Sequence, residues 1–253
     1  MGQNVREMTR KMYGGETKVV KIKSDPGDPE SPTVDFEVPI GWSMTAASIC
    51  YQKYARKAGV PSHIRPTSSV RRPTQFTPNV PDDGCTFGEE LSVLQIAWRM
   101  AGCWAYWLHK LGYMNGDVTA VLFDRVFADL LAQRAAPNSP QWFNTGLHWA
   151  YGIEGPAQGH WYCDHETGVA RPSKNAYERP QPSACFINSV GDDLVGEGGI
   201  MDLWQREARL FKFGSGAGSN FSDIRAKGEP LSGGGQSSGL MSFLRIGDRA
   251  AGA

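Results

Sequence analysis

The sequence lacks any imbalance of charge: 26 lysines and arginines stand against 26 aspartates and glutamates, a formal net charge of +0 over 253 residues. No net field is then available to wrap nucleic acid or to coat an anionic membrane. It lacks an apolar run of membrane-spanning length. Its opening, Met1-Gly-Gln-Asn-Val-Arg-Glu-Met8, lacks the apolar core of a secretory signal. Its 5 cysteines are too few, in a chain this long, for a secreted disulfide framework. These absences point to a reducing, cytoplasmic setting, with neither DNA, RNA nor a membrane as partner. The length fits one large domain or two smaller ones and is enough to bury a substantial core.

What is present is concentrated between Pro180 and Gly239. Ala184–Val190 is short, partly apolar and preceded by prolines, and reads as a strand. Gly198–Phe211 sets Ile200, Leu203, Trp204, Ala208 and Phe211 on one helical face, and Gly214 follows as a C-cap. A second strand follows in Gly214-Ser-Gly-Ala-Gly-Ser-Asn-Phe-Ser-Asp-Ile-Arg225, so the stretch predicts a βαβ unit with a parallel pair. Cys185 lies in the first strand. Gly214, Gly216 and Gly218 let a ligand or a neighbouring backbone come close to the second. The glycines follow a helix, so they are not a dinucleotide fingerprint. Gly233-Gly-Gly-Gln-Ser-Ser238 has no lysine and is not a P-loop.

Elsewhere the pattern is helical. Residues 1–37 are weakly patterned, with a basic run that reads as solvated surface and an acidic, proline-rich stretch, Ser24–Pro32, that reads as a mobile lead-in. A helix is predicted over Trp42–Ala58, capped by Ser43, with Ala46, Ile49, Cys50 and Tyr54 on one face. A basic, proline-rich loop covers Arg65–Gly84. Thr86-Phe-Gly-Glu89 has the form of a capping box opening a long helix that ends near Gly112. Its apolar face holds Leu91, Leu94, Trp98, Ala101, Trp104, Ala105 and Leu108, a stripe that reads as core. Asp117 caps a further predicted helix through Gln133. Pro137-Asn-Ser-Pro140 ends the helical region. That turn is either a simple terminator or a rigid mount aiming the Ser139 hydroxyl and nearby amides at an anion. His160-Trp-Tyr-Cys-Asp-His165 invites a zinc reading, but no second Cys/His pair stands at finger-like spacing, so no metal is expected. Ser238 reads as the N-cap of a last helix with Met241, Leu244 and Arg245 on one face.

Taken together, Ala136-Pro-Asn-Ser-Pro-Gln-Trp-Phe-Asn144, Ser183-Ala-Cys-Phe-Ile187, Phe211-Lys-Phe-Gly-Ser-Gly-Ala-Gly-Ser-Asn-Phe-Ser222 and Leu231-Ser-Gly-Gly-Gly-Gln-Ser-Ser-Gly-Leu-Met-Ser-Phe-Leu244 closely resemble the class II, adenosylcobalamin-dependent ribonucleotide reductases. The resemblance runs from about Val38 to the last residue. It implies an α/β fold in which a helical N-terminal domain, residues 38–135, leads from 136 into the first strands of a ten-stranded α/β barrel. It implies reduction of ribonucleoside diphosphates by a cobalamin-generated thiyl radical, with a thioredoxin-like reductant and a homodimer.

By this resemblance Cys185 is one cysteine of the redox pair, its partner lying outside the chain. Ser139, Ser183, Ala184, Cys185, Ser215 and Gly216 are its substrate-binding positions. Asp192 and Arg225 are its positions for a deoxynucleoside triphosphate effector at a dimer-interface site, and Ser232 stands where some relatives carry a second arginine. The family's text continues past Ala253, so the chain reads as an N-terminal piece, inactive without the remainder. The alternative is a non-catalytic nucleotide-binding module, or an inactive fragment, of the same fold.

Overall fold

The structure is a computed structural model that describes residues 2–67, 76–157, 159–212 and 214–252. Residues 68–75 of the expected basic loop, Arg65–Gly84, lie outside the described residues. The chain divides at Pro182 and Ser183 into two compact units. The sequence drew its division by role, at 136; packing draws it here.

The first unit opens with β1 (Gln3–Asn4) and α1 (Val5–Tyr13), followed by β2 (Thr17–Lys23) and β3 (Thr33–Pro39). The last two form an antiparallel hairpin registered from Thr17 opposite Pro39 to Lys23 opposite Thr33. Much of residues 1–37, expected as a mobile lead-in, is thus helix and strand, and Ser24–Pro32 is the connection between β2 and β3. The reason lies in alternation: Val20 and Ile22 turn inward with Phe36 and Val38, while Lys21 and Lys23 point to water. Each such apolar side chain contributes about 1.5–3 kcal/mol of burial. The basic run is indeed a solvated face, but the face of a strand.

Next come α2 (Met44–Ile49) and a π-turn, Cys50–Tyr54. Ser43 caps α2 as expected, accepting from the Ala46 amide at 3.1 Å. Helical structure ends at Tyr54, short of Ala58, because Ala55 is already extended (φ −67°, ψ 135°). Short strands follow: β4 (Val60–Pro61), β5 (His63–Pro66), β6 (Asn79–Pro81) and β7 (Phe87–Gly88).

The central helix, α3 (Val93–Lys110), starts at Ser92, whose hydroxyl accepts from the Leu94 amide at 3.2 Å. The expected capping box at Thr86–Glu89 is a strand instead. Phe87–Gly88 is drawn into an antiparallel pair with Val60–Pro61, and Glu89 accepts from the Tyr51 hydroxyl at 2.8 Å. Every residue from Val93 to Cys103 is buried, which makes α3 the axis of the core. Around it pack α1, β3, α4 (Gly116–Leu131), α5 (Ser139–Asn144) and α6 (Leu147–Tyr151). Asn115, not Asp117, caps α4, accepting from the Val118 amide at 2.9 Å. Pro137–Pro140 does more than end a helix: Asn138 and Pro140 open α5. A small antiparallel pair, β8 (Trp161–Cys163) with β9 (Ala170–Pro172), completes this unit.

The second unit is the expected βαβ. β10 (Cys185–Ser189) runs parallel to β11 (Gly216–Asn220), with α7 (Ile200–Lys212) between them in sequence. Its core is small: Val190, Ile200 and Leu203 are buried, with Trp204, Phe221, Ile224 and Phe243 packed against them. Ala208 and Phe211, expected on the apolar face of α7, are exposed because nothing in this unit covers the last turns. The final helix, α8 (Leu240–Ala251), is entered through Gly239 at φ 82°, without a cap from the Ser238 side chain. It buries Gly247 and leaves Met241 exposed. The chain is mixed α/β.

Candidate functional site

β10 presents two faces. Phe186, Asn188 and Val190 lean toward the small core, while Cys185, Ile187 and Ser189 face solvent, Ile187 at 83% exposure. The parallel register sets Cys185 beside Gly216 and Ile187 beside Gly218. Neither glycine offers a side chain. A Cβ on Gly216 would stand 3.8 Å from the Cys185 sulfur, and one on Gly218 would stand 3.1 Å from the Ile187 side chain. The thiol is therefore left open from the neighbouring strand.

The start of this strand pair is tied down by two bonds. The Gly216 amide donates to the Ala184 carbonyl at 2.6 Å, and the Ser215 hydroxyl donates to the Ser183 carbonyl at 2.7 Å. Ser215 is buried, at 4% exposure. Ser183, Ala184, Cys185, Ser215 and Gly216 thus come together at one end of the pair. They are five of the six positions that the family resemblance implies for substrate; the sixth, Ser139, lies in the first unit.

All five cysteines of the chain are free thiols. Burial pushes the Cys50 thiol up to about 12, and burial pushes Cys103 up as well. These two behave as small core residues, since thiolate is the reactive form. Cys163 and Cys185 are the two exposed cysteines, and of them Cys185 is registered beside a glycine, Gly216, of a parallel strand.

Asp192 and Arg225, expected to meet an effector, are found together. The Arg225 guanidinium forms an ion pair with Asp192, its amide donates to the same carboxylate at 3.4 Å, and its Nη1 donates to the Pro230 carbonyl at 3.2 Å. Both side chains keep about a quarter of their surface, Asp192 at 26% and Arg225 at 29%. Each is the other's partner, so an incoming phosphate would compete with Asp192 for the guanidinium.

Ser139 belongs to the first unit. It is the first residue of α5, half-buried, with its hydroxyl 3.4 Å from that of Tyr54. Tyr54 in turn stacks on Trp142, ring centroids 5.5 Å apart, and touches Phe143. The sequence reading placed Tyr54 on an apolar face and missed this contact. It also missed the buried network of Glu90, Arg99 and Tyr151, whose one legible signal was an arginine inside an otherwise apolar helix. His160, from the segment weighed for zinc, bonds instead to the Arg179 carbonyl at 2.6 Å.

Comparison with known proteins gives these positions a context. Residues 16–133 match the family profile described as class II vitamin B12-dependent ribonucleotide reductase, and residues 183–253 match the one described as ribonucleotide reductase, barrel domain. Similar relatives are the vitamin B12-dependent ribonucleotide reductases of Bradyrhizobium diazoefficiens, 57% identical over 87% of this chain, and of Agrobacterium fabrum, 54% identical over 93%. That of Rhodopirellula baltica is 37% identical over 91%. The chain spans 18% to 20% of the length of these relatives. The two profiles and the relatives agree along most of its length: the chain belongs to the class II vitamin B12-dependent ribonucleotide reductase family.

Proposed function

We propose that this chain supplies the N-terminal part of a cytoplasmic ribonucleoside-diphosphate reductase, and that Cys185 is one of its two reducing thiols. The observation that supports this reading most is the open Cys185 thiol at the head of a parallel pair, where the residues facing Cys185 and Ile187 are Gly216 and Gly218. A reacting sugar needs close approach to sulfur, and a side chain on Gly216 larger than methyl would deny it. Ser183, Ala184, Ser215 and Gly216 would bind the substrate around that thiol, and Ser139 is a further proposed substrate position. Ser139 offers a hydroxyl at a helix start, and Ser215 fixes the loop through the Ser183 carbonyl. In this reading β10 and β11 are the first strands of a ten-stranded α/β barrel.

The redox step balances with a second thiol. Two thiols give up two protons and two electrons and close a disulfide; the ribose loses its 2′-hydroxyl as water and gains hydrogen at that carbon. A thioredoxin-like dithiol then reopens the disulfide by exchange. The second thiol lies on the remainder of the enzyme. In the family, adenosylcobalamin supplies the radical that begins the reaction. Two cavities among the described residues of the first unit, about 220 and 370 Å3, are each too small to enclose a corrin, and none of the residues lining them is assigned to it. Asp192 and Arg225 would meet a deoxynucleoside triphosphate effector in a homodimer.

The test is reconstitution. Residues 1–253 joined to the remainder of a relative, with adenosylcobalamin and dithiol, should form deoxyribonucleotide over many turnovers, and the chain alone should form none. Cys185→Ser should abolish multiple turnover in the reconstituted enzyme, because the hydroxyl cannot close a disulfide. Sustained product from Cys185→Ser would reduce the residue to a packing role, and sustained product from the chain alone would mean that the catalytic residues are misplaced.

A further inference from the structure

The π-turn roofs a cavity of about 370 Å3 that the reductase reading does not use. Its wall carries Lys53, Arg56 and Lys57, with Tyr54, Phe143 and Asn144, and no carboxylate. Three cations within five residues come to one opening because the chain leaves the π-turn extended at Ala55 and carries Arg56 and Lys57 along the rim.

Each group is held in a particular way. The Arg56 guanidinium donates from Nε to the Ala58 carbonyl at 2.9 Å and from Nη1 to the Tyr177 hydroxyl at 3.0 Å, leaving Nη2 without a partner among the described residues. The Lys57 ammonium sits 2.8 Å from the centroid of the Tyr51 ring. Burial lowers its pKa to about 8, against the pull of Glu89 and Glu90. Those two carboxylates are committed elsewhere, Glu89 to the Tyr51 hydroxyl and Glu90 to Arg99 and Tyr151. Lys53 is exposed. Asn144 is only 8% exposed, and its amide nitrogen is buried with no hydrogen-bond partner among the described residues. A buried donor left unmade costs about 1–3 kcal/mol, so such a group commonly marks a missing ligand.

We propose that this cavity is a binding site for a phosphoryl oxyanion, with Lys53, Arg56, Lys57 and Asn144 as its donors. Two lysines, a guanidinium and an amide line one opening, a set of donors that suits the oxygens of a phosphoryl group and repels a cation. The cavity has room for a pyrophosphate. Tyr54 joins its wall to the turn that carries Ser139, their hydroxyls 3.4 Å apart. The site rests on the first unit alone and stands or falls without the reductase reading.

The test uses the full 253-residue chain and pyrophosphate, titrated in a calorimeter. Saturable binding in the millimolar range or tighter is expected. Lys53→Gln with Lys57→Gln should weaken it by about tenfold or more, the loss expected for a charge-assisted contact. Lys18→Gln with Lys174→Gln removes the same charge elsewhere and should leave it unchanged. Lys57 packs on Tyr51, so Lys53→Gln alone, on an exposed side chain, should weaken binding in a chain whose melting is unaltered. Competition by adenosine diphosphate but not adenosine identifies a nucleotide's phosphates as the source; pyrophosphate binding without such competition identifies the free anion. No saturable binding, or equal loss in the two lysine pairs, overturns the proposal.

Discussion

Arg99 and Glu90 form a fully enclosed ion pair, Nε to Oε1 at 2.7 Å and Nη2 to Oε2 at 3.3 Å, with neither side chain reaching solvent. The rest of the guanidinium donates to the carbonyls of Thr145 at 2.6 Å and Trp142 at 2.7 Å. Glu90 also accepts from the Tyr151 hydroxyl at 2.9 Å and the Arg56 amide at 2.8 Å. One charge pair thereby fastens α3 to the chain at the end of α5 and to α6. Arg99→Met should cost about 3–5 kcal/mol in denaturant unfolding, because it strands a buried carboxylate. Arg99→Met with Glu90→Leu should cost less than the single change. A single-variant loss under about 1 kcal/mol would show that water reaches the site.

Glu37 sets the acid limit of the first unit. Burial pushes its carboxyl up, but hydrogen bonds from Arg10 at 2.6 Å and Thr17 at 3.0 Å, with the nearby charges of Arg10 and Arg6, hold it below the ordinary 4.5. A depressed folded-state pKa adds stability above the unfolded value and loses it as pH falls through the folded one. Stability should therefore decline below about pH 4.5. Glu37→Gln should be less stable at neutral pH and flatter in its acid limb, read from melting temperature against pH. Parallel acid limbs would remove Glu37 from the account.

Two glycines of the second unit should respond unequally to alanine. A Cβ on Gly247 would lie 2.4 Å from the Trp204 ring, whereas one on Gly216 meets nothing nearer than 3.7 Å. Gly247→Ala should destabilise by about 1–3 kcal/mol, as overpacking does. Gly216→Ala should be near neutral in stability, and Gly216→Val should slow alkylation of Cys185 by screening it. Equal alkylation rates in wild type and Gly216→Val would mean that the thiol is approached from another side.

The Asp192–Arg225 pair gives the effector proposal a specific form. Arg225→Ala in a reconstituted enzyme should weaken triphosphate binding, and Asp192→Asn should free the guanidinium while loosening the sugar or base end. Fluorescence titration with a labelled deoxynucleotide separates the two. Unchanged affinity in Arg225→Ala would return both residues to the surface as a simple ion pair.

Much of the second unit was legible because its signals are local. The glycines and the spacing of Ile200 and Leu203 suffice for strand, helix and strand. The first unit was harder to read where local signals met tertiary ones. Thr86-Phe-Gly-Glu89 has every residue of a capping box, yet pairing with Val60–Pro61 outbids it, and Ser92 caps the helix. In β2 the lysines hid the alternation of Val20 and Ile22. The π-turn at Cys50–Tyr54 has no sequence mark, and it is what brings Tyr54 to Ser139. At the candidate site, Asp192 and Arg225 could be named singly, but their mutual pairing depends on two loops that meet only after folding.

The β10–β11 pair has a consequence for how the second unit behaves in concentrated solution. Among the described residues neither strand pairs with a third, so each outer side carries amides and carbonyls without a strand partner. Ile187 adds an uncovered apolar side chain to that surface. A strand supplied in order would extend the sheet; another copy supplied at random would begin a β-linked aggregate. Light scattering of the chain should rise with concentration, and Ile187→Lys should suppress the rise.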